Sequence, residues 1–292
     1  MSDVFSRYHP LVNFLYFALV LAFSMVFMHP VCLAVSLLCA ITYSVYLNRK
    51  RAVNFNLKYM LPLLVLTAVI NPLFNHGGAT ILGYFRNGNP LTLESIIYGI
   101  AAAVMLVTVI SWFSCLNVII TSDKLVYLFG RLIPAMSLIL AMSLRFVPRF
   151  KAQAKVISNA QRCIGRDISA GNIITRARNG IKILSILVTW ALENAIDTAD
   201  SMRSRGYGIP GRTAFSIYRF DKRDIFMLAF LLVCGVYIIA GAMLGGLSYR
   251  YFPMAAEVAP GTFAYSLFAV YFALCIAPAA ISVREDQKWR VT

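Results

Sequence analysis

Long apolar runs separated by short polar breaks dominate the chain. Six of them carry little charge: Leu11 to Met28, Val31 to Leu47, Tyr59 to Asn75, Ser95 to Ile120, Ile225 to Leu244 and Thr262 to Ser282. Each is close to the roughly 20 residues that cross about 30 Å of hydrocarbon as a helix. The pattern predicts an all-α integral membrane protein with about six transmembrane helices. A seventh apolar stretch, Asp123 to Val147, is interrupted by Lys124, Arg131 and Arg145, and Pro134 is expected to break or kink it. It is read as lying in or near the cytoplasmic interface.

Between the fourth and fifth runs the pattern changes. Pro148 to Asp224 holds fourteen basic and six acidic residues, too many for the bilayer. Phe150 to Cys163 reads as a short basic helix after Pro148, ending near Gly165, and Asp167 to Thr175 as a connector. Asn172 or Thr175 is expected to start a long helix that ends at Arg205. Reading back from Ser204 in steps of three or four gives Asp200, Asp197, Glu193, Thr189, Ser185 and Lys182, one polar stripe on an otherwise apolar helix. Arg203 and Arg205 fall in its last turn, where the carbonyl end of the dipole favours cations, and Gly206 can take the left-handed conformation that ends it. The expected organisation is a membrane region over 1–120, an interfacial and cytoplasmic region of two long helices over 121–224, and a second membrane region with a short tail over 225–292.

Composition agrees with the hydropathy pattern. The chain is 60% hydrophobic and 13% charged, with a mean hydropathy of +0.72, against about a quarter charged for soluble proteins. With a cytoplasmic amino terminus and six alternating spans, every Lys and Arg except Arg86 and Arg250 falls on the inner side. Both termini are therefore expected in the cytoplasm of a prokaryotic cell, the protein sitting in the plasma membrane. The net charge of +15 is then explained by topology and by contact with the lipid bilayer, and no nucleic-acid partner is expected. The first apolar run has no small-residue cleavage site and is read as a retained span.

Candidate chemistry is sparse. Cys32, Cys39, Cys115, Cys163, Cys234 and Cys275 form no CxxC pair, and His9, His29 and His76 each precede a Pro or Gly in a turn-like setting, which suggests helix ends rather than metal ligands. Gly206-Tyr-Gly208-Ile-Pro-Gly211 formally matches GxGxxG but follows a helix and carries a proline, so it reads as a turn. There is no GxxxxGK[ST], and no nucleophile stands beside a base. The expectation is a non-enzymatic protein without metal or cofactor. Two other classes compete with a scaffold of helix tips. A stand-alone secondary transporter or channel calls for charged or broken helices near the midplane, and a lipid transferase calls for more acids than Asp197 and Asp200.

The ordered motifs carry a family resemblance. Ala199-Asp-Ser-Met-Arg-Ser-Arg-Gly-Tyr-Gly208, Gly211-Arg-Thr and Tyr218-Arg-Phe-Asp-Lys-Arg-Asp224 resemble the second coupling motif of the transmembrane T components of energy-coupling factor (ECF) transporters. Leu144-Arg-Phe-Val-Pro148, Ala160-Gln161, Tyr8-His-Pro-Leu-Val-Asn-Phe14 and Asn71-Pro-Leu-Phe-Asn-His-Gly77 match as well, so the resemblance covers essentially the whole chain. It implies a scaffold that joins two ABC-type ATPase subunits to a substrate-binding S component for uptake of a vitamin or metal ion, with ATP bound by the partners. Each coupling helix of the family ends in an Ala-Arg-Gly-like triplet. Here the second is Ser204-Arg205-Gly206 and the first aligns at Cys163-Ile164-Gly165, with isoleucine where arginine is expected. Either Arg162 or Arg166 supplies that charge, or this tip docks by apolar contact. Glu193, Asp197, Asp200 and Arg203 form a supporting polar stripe.

Overall fold

The structure is a computed structural model that describes residues 4–84, 88–132, 134–169, 171–207, 209, 218–253, 256–257 and 261–291. Its helices, in chain order, are α1 (Pro10–Val26), α2 (Pro30–Asn48), α3 (Lys50–Phe55), α4 (Leu61–Phe74), α5 (Leu93–Ile119), α6 (Ser122–Leu132), α7 (Pro134–Cys163), α8 (Ile173–Ser204), α9 (Lys222–Met243) and α10 (Thr262–Val291). Two short antiparallel hairpins, Ile81–Tyr84 with Pro90–Thr92 and Tyr249–Arg250 with Ala256–Glu257, close the loops before α5 and after α9. The chain divides into two compact units, one formed by 1–121 with 218–292 and the other by 122–217.

Five helical stretches of the first unit are long and apolar enough to cross a membrane: Pro30–Asn48, Lys50–Phe74, Leu93–Ile119, Lys222–Met243 and Thr262–Glu285. The first predicted span is the apolar α1, whose 17 residues reach about 25 Å. The third begins earlier than Tyr59, because α3 runs through a π turn at Asn56–Met60 into α4 without a break. Both His-Pro pairs start helices. His9 and His29 are the N-caps of α1 and α2, each Nδ1 accepting from the amide two residues on (3.3 Å), with proline at N1, where its missing N–H is no loss.

Helix α5 lies against α1, α2 and α4. At Gly99 a Cβ would stand 2.9 Å from the Ala68 carbonyl oxygen, so this contact with α4 requires glycine. The unit's buried core includes Tyr16, Phe17, Tyr43, Trp112, Leu231, Leu267 and Tyr271. It also encloses a polar node that ties α1, α2, α5 and α10 together. Trp112 Nε1 donates to Ser36 Oγ (3.0 Å), the Ser36 and Ser24 hydroxyls lie 2.8 Å apart, and Ser24 donates to the Val20 carbonyl (2.7 Å). Tyr271 OH sits 3.4 Å from Ser24 Oγ, and Tyr16 OH donates to the Cys275 carbonyl (3.0 Å). With Ser36 and Tyr271 donating to Ser24, every hydroxyl proton of this node has an acceptor, which a bilayer interior demands.

The second unit holds α6, α7 and α8. Helix α7 begins at Pro134, within the stretch where the sequence predicts a break or kink at that proline. Pro148, by contrast, does not start a new helix. Instead of a short basic helix from Phe150, α7 is one helix of 30 residues with Pro148 inside it. Proline there cannot donate to the carbonyl four residues back, a penalty of about 3 kcal/mol in a helix interior. Packing across the site opposes it. Phe146 and Phe150 stack at 5.7 Å, Phe150 meets Trp190 of α8 edge-on at 5.8 Å, and the Arg149 guanidinium lies 5.6 Å from the Trp190 ring centre. Ile157 of α7 and Ile183 of α8 are buried in the same unit.

Candidate functional site

The ends of α7 and α8 are built alike. At the end of α8 the Gly206 amide donates to the Arg203 carbonyl (2.9 Å) and the Tyr207 amide to the Met202 carbonyl (3.0 Å), with Gly206 at φ +76°. At the end of α7 the Gly165 amide donates to the Arg162 carbonyl (3.0 Å) and the Arg166 amide to the Gln161 carbonyl (3.0 Å), with Gly165 also at φ +76°. Both are Schellman motifs, in which a left-handed glycine lets two further amides satisfy carbonyls of the last turn. Cys163, Ile164 and Gly165 therefore hold the same cap positions as Ser204, Arg205 and Gly206. Ile164 is 66% exposed, and Cys163, Ser204 and Arg205 are exposed as well. The structure thus offers two matching helix tips, one led by a guanidinium and the other by an aliphatic side chain.

Local bonds separate the two arginines beside the first tip. Arg162 Nε lies 3.1 Å from Asp167 Oδ2, so its charge is matched within its own loop. The other carboxylate oxygen of Asp167 accepts from the Ser169 amide (2.9 Å). The Ser169 amide and hydroxyl, with the Arg162 charge behind them, hold the Asp167 carboxyl below the usual range. Arg166 stands exposed at the position after Gly165. The connector is also fastened to the start of α8, because Arg176 Nε donates to the Ile168 carbonyl (2.8 Å) and Asn179 Nδ2 to the Asp167 carbonyl (3.1 Å). Asn172 is the N-cap of α8, its side chain accepting from the Ile173 amide (2.8 Å). The Asp-x-Ser spacing directly after the tip is the sequence signal for this turn, within a segment that composition alone marks only as a connector.

The polar stripe divides in two. Asp200 and Arg203 line a cleft of about 610 Å³ between α7 and α8, together with Tyr207, Leu138, Met142 and Phe146. Glu193 and Asp197 are exposed outside it. Among the described residues none of Glu193, Asp197 and Asp200 forms an ion pair, and acids four apart on a helix repel rather than support each other. Helix α8 also presents Ile181, Leu184, Val188, Leu192 and Ile196 uncovered within its unit. Arg86, Gly208 and Gly211-Arg-Thr, which the sequence reading used, lie outside the described residues.

The family model described as "Cobalt transport protein" (CbiQ) matches residues 2–215. Tyr218 to Asp224 falls beyond that match. Among relatives, the energy-coupling factor transporter transmembrane protein EcfT of Lactobacillus helveticus is 40% identical over 105 residues, which are 35% of this chain and 38% of the relative. EcfT of Streptococcus equi subsp. equi is 27% identical over 196 residues, 62% of this chain and 71% of the relative. EcfT 1 of Listeria monocytogenes is 28% identical over 197 residues, 62% and 73% respectively. The chain thus spans about two fifths of the length of the Lactobacillus helveticus relative and of the Lactococcus lactis EcfT, which is 32% identical over 105 residues. A match over most of the chain, on helices whose ends repeat one backbone cap, places it: the chain belongs to the CbiQ/EcfT family, the transmembrane components of energy-coupling factor transporters.

Proposed function

We propose that this chain is the membrane scaffold of an ECF-type importer. It joins two ABC-type ATPase subunits through the tips of α7 and α8 and passes their ATP-driven movement to a separate S component that binds a vitamin or metal ion. The chain itself breaks no bonds. The observation that carries the reading is the pair of matching Schellman caps, which hold Ile164 and Arg205 at equivalent exposed positions. A guanidinium offers a rigid fork to carboxylates or carbonyls of a partner, which lysine does not. The first tip docks mainly through Ile164, because Arg162 is already matched by Asp167. The uncovered aliphatic face of α8 supports contact with a further apolar partner, for which the S component is the candidate. Positive charge on one side of the spans supports cytoplasmic termini and a cytoplasmic 148–224 region.

Co-expression and pull-down test the reading. The chain should bring down ATPase subunits in stoichiometric amount, and Arg205→Glu should abolish most of that capture, since disrupting a desolvated charge contact costs about 2–5 kcal/mol. Wild-type capture by Arg205→Glu, or autonomous transport by the lone chain, would remove the coupling role.

A further inference from the structure

The starts of α1 and α9 are fastened by one carboxylate. Asp224, 5% exposed, accepts from the amide of His9 through Oδ1 (3.0 Å) and from the amide of Asp221 through Oδ2 (3.0 Å). Residue 9 is the N-cap of α1 and residue 221 the N-cap of α9, so a single buried anion takes the free amide of each N-cap. Two helix dipoles direct their positive ends at it. The His9 ring, 3% exposed, also packs on the Phe220 ring, with the centroids 4.0 Å apart. All four residues belong to the first unit, and residues 218–221 are where the polypeptide enters that unit on leaving the second.

From this geometry we infer that Asp224 is a positioning residue for energy coupling: it makes the starts of α1 and α9 one block, so that motion arriving along 218–221 moves both helices instead of fraying α9. The inference rests on the scaffold reading above. Its chemistry is specific to a carboxylate. Asparagine has one acceptor oxygen, and its NH2 would face the second amide, so Asp224→Asn must release one of the two helix starts. Glutamate keeps both acceptors.

The test uses the complex with its ATPases in nanodiscs, followed by hydrogen exchange with and without ATP plus vanadate. In Asp224→Asn the amides of residues 9, 11 and 12 or of 221–225 should exchange about tenfold faster or more, and the nucleotide-dependent change in α1 and α9 should be lost while that at residues 160–166 and 201–207 persists. Asp224→Glu should restore the response in α1 and α9. Phe220→Leu removes the ring contact without disturbing a buried charge, and should give the same loss in milder form; it carries the test if Asp224→Asn does not fold. A full nucleotide response of α1 and α9 in Asp224→Asn, or in Phe220→Leu if that variant stands in, would overturn the positioning role and leave the scaffold reading standing. So would a wild-type complex in which those helices do not respond to nucleotide. A wild-type chain that captures no ATPase sinks both.

Discussion

Replacing Ile164 separates the two ways in which the first tip can dock. Covering a fully exposed isoleucine is worth about 1.5–3 kcal/mol, so at 66% exposure Ile164 has about 1–2 kcal/mol to gain from a partner. Ile164→Ala keeps the helix end intact, because the C-cap bonds are made by backbone groups and by Gly165 rather than by this side chain. The substitution should weaken binding of the ATPase pair by about 1 kcal/mol, roughly fivefold. Arg166→Ala should cost at most a few tenths of a kcal/mol, as exposed charges do. Interferometry with variants held in nanodiscs, at about 0.05 M and about 0.5 M salt, distinguishes the two contributions, because screening erases exposed charge contacts and leaves apolar ones. The Ile164→Ala deficit should be equal at both salts. Ile164→Arg, which makes the first tip match the second with its Arg205, should weaken binding if the socket is apolar. Tighter binding by Ile164→Arg, or a salt-sensitive loss in Arg166→Ala larger than that in Ile164→Ala, would refute the apolar reading.

Gly206→Ala forces a side chain into φ +76° and should cost about 1–2 kcal/mol of local stability and misdirect Arg205, lowering ATPase capture. Gly180→Ala, in a helix with open space around the new Cβ, should leave capture unchanged in the same pull-down. In intact cells an impermeant maleimide should label neither Cys163, the one exposed cysteine of the six, nor an Asn172→Cys variant; strong labelling without permeabilisation would reverse the topology. Ser36→Ala leaves the buried Trp112 N–H without its acceptor and should cost about 1–3 kcal/mol, read as a lower thermal midpoint in detergent; an unchanged midpoint would show that the node contributes nothing.

Much of the membrane unit was legible because hydrophobic length alone selects spanning helices, and the His-Pro pairs and Asn172 mark helix starts by their own chemistry. The Gly206 stop was readable for a similar reason, since glycine after a polar last turn signals a left-handed cap. Pro148 misled. Its local preference is to end a helix, but the Phe150–Trp190 contact that opposes this joins residues forty positions apart, and no local pattern reveals it. The Ser24, Ser36, Trp112 and Tyr271 node was hidden likewise, because three hydroxyls and one indole N–H in four separate apolar runs give no sign that they converge. At the first tip, sequence alone left Arg162, Arg166 and Ile164 as equals, and only the 3.1 Å contact between Arg162 and Asp167 set one of them apart.

The two tips also show how far backbone and side chain act as separate variables here. Both helices end in the same hydrogen-bond pattern with glycine at the same dihedral angle, so the shape offered to a partner is set by Gly165 and Gly206. What differs is the side chain one residue earlier. An aliphatic group gains from any dry socket and loses nothing with salt, whereas a guanidinium needs acceptors placed to match its fork. On the scaffold proposal, a first tip led by Ile164 would supply adhesion that tolerates small changes of angle, while Arg205 would fix the orientation of the second. Division of that kind suits a scaffold whose partners must remain attached while they move, because a tilt that strains a directional contact at one tip leaves the non-directional contact at the other intact.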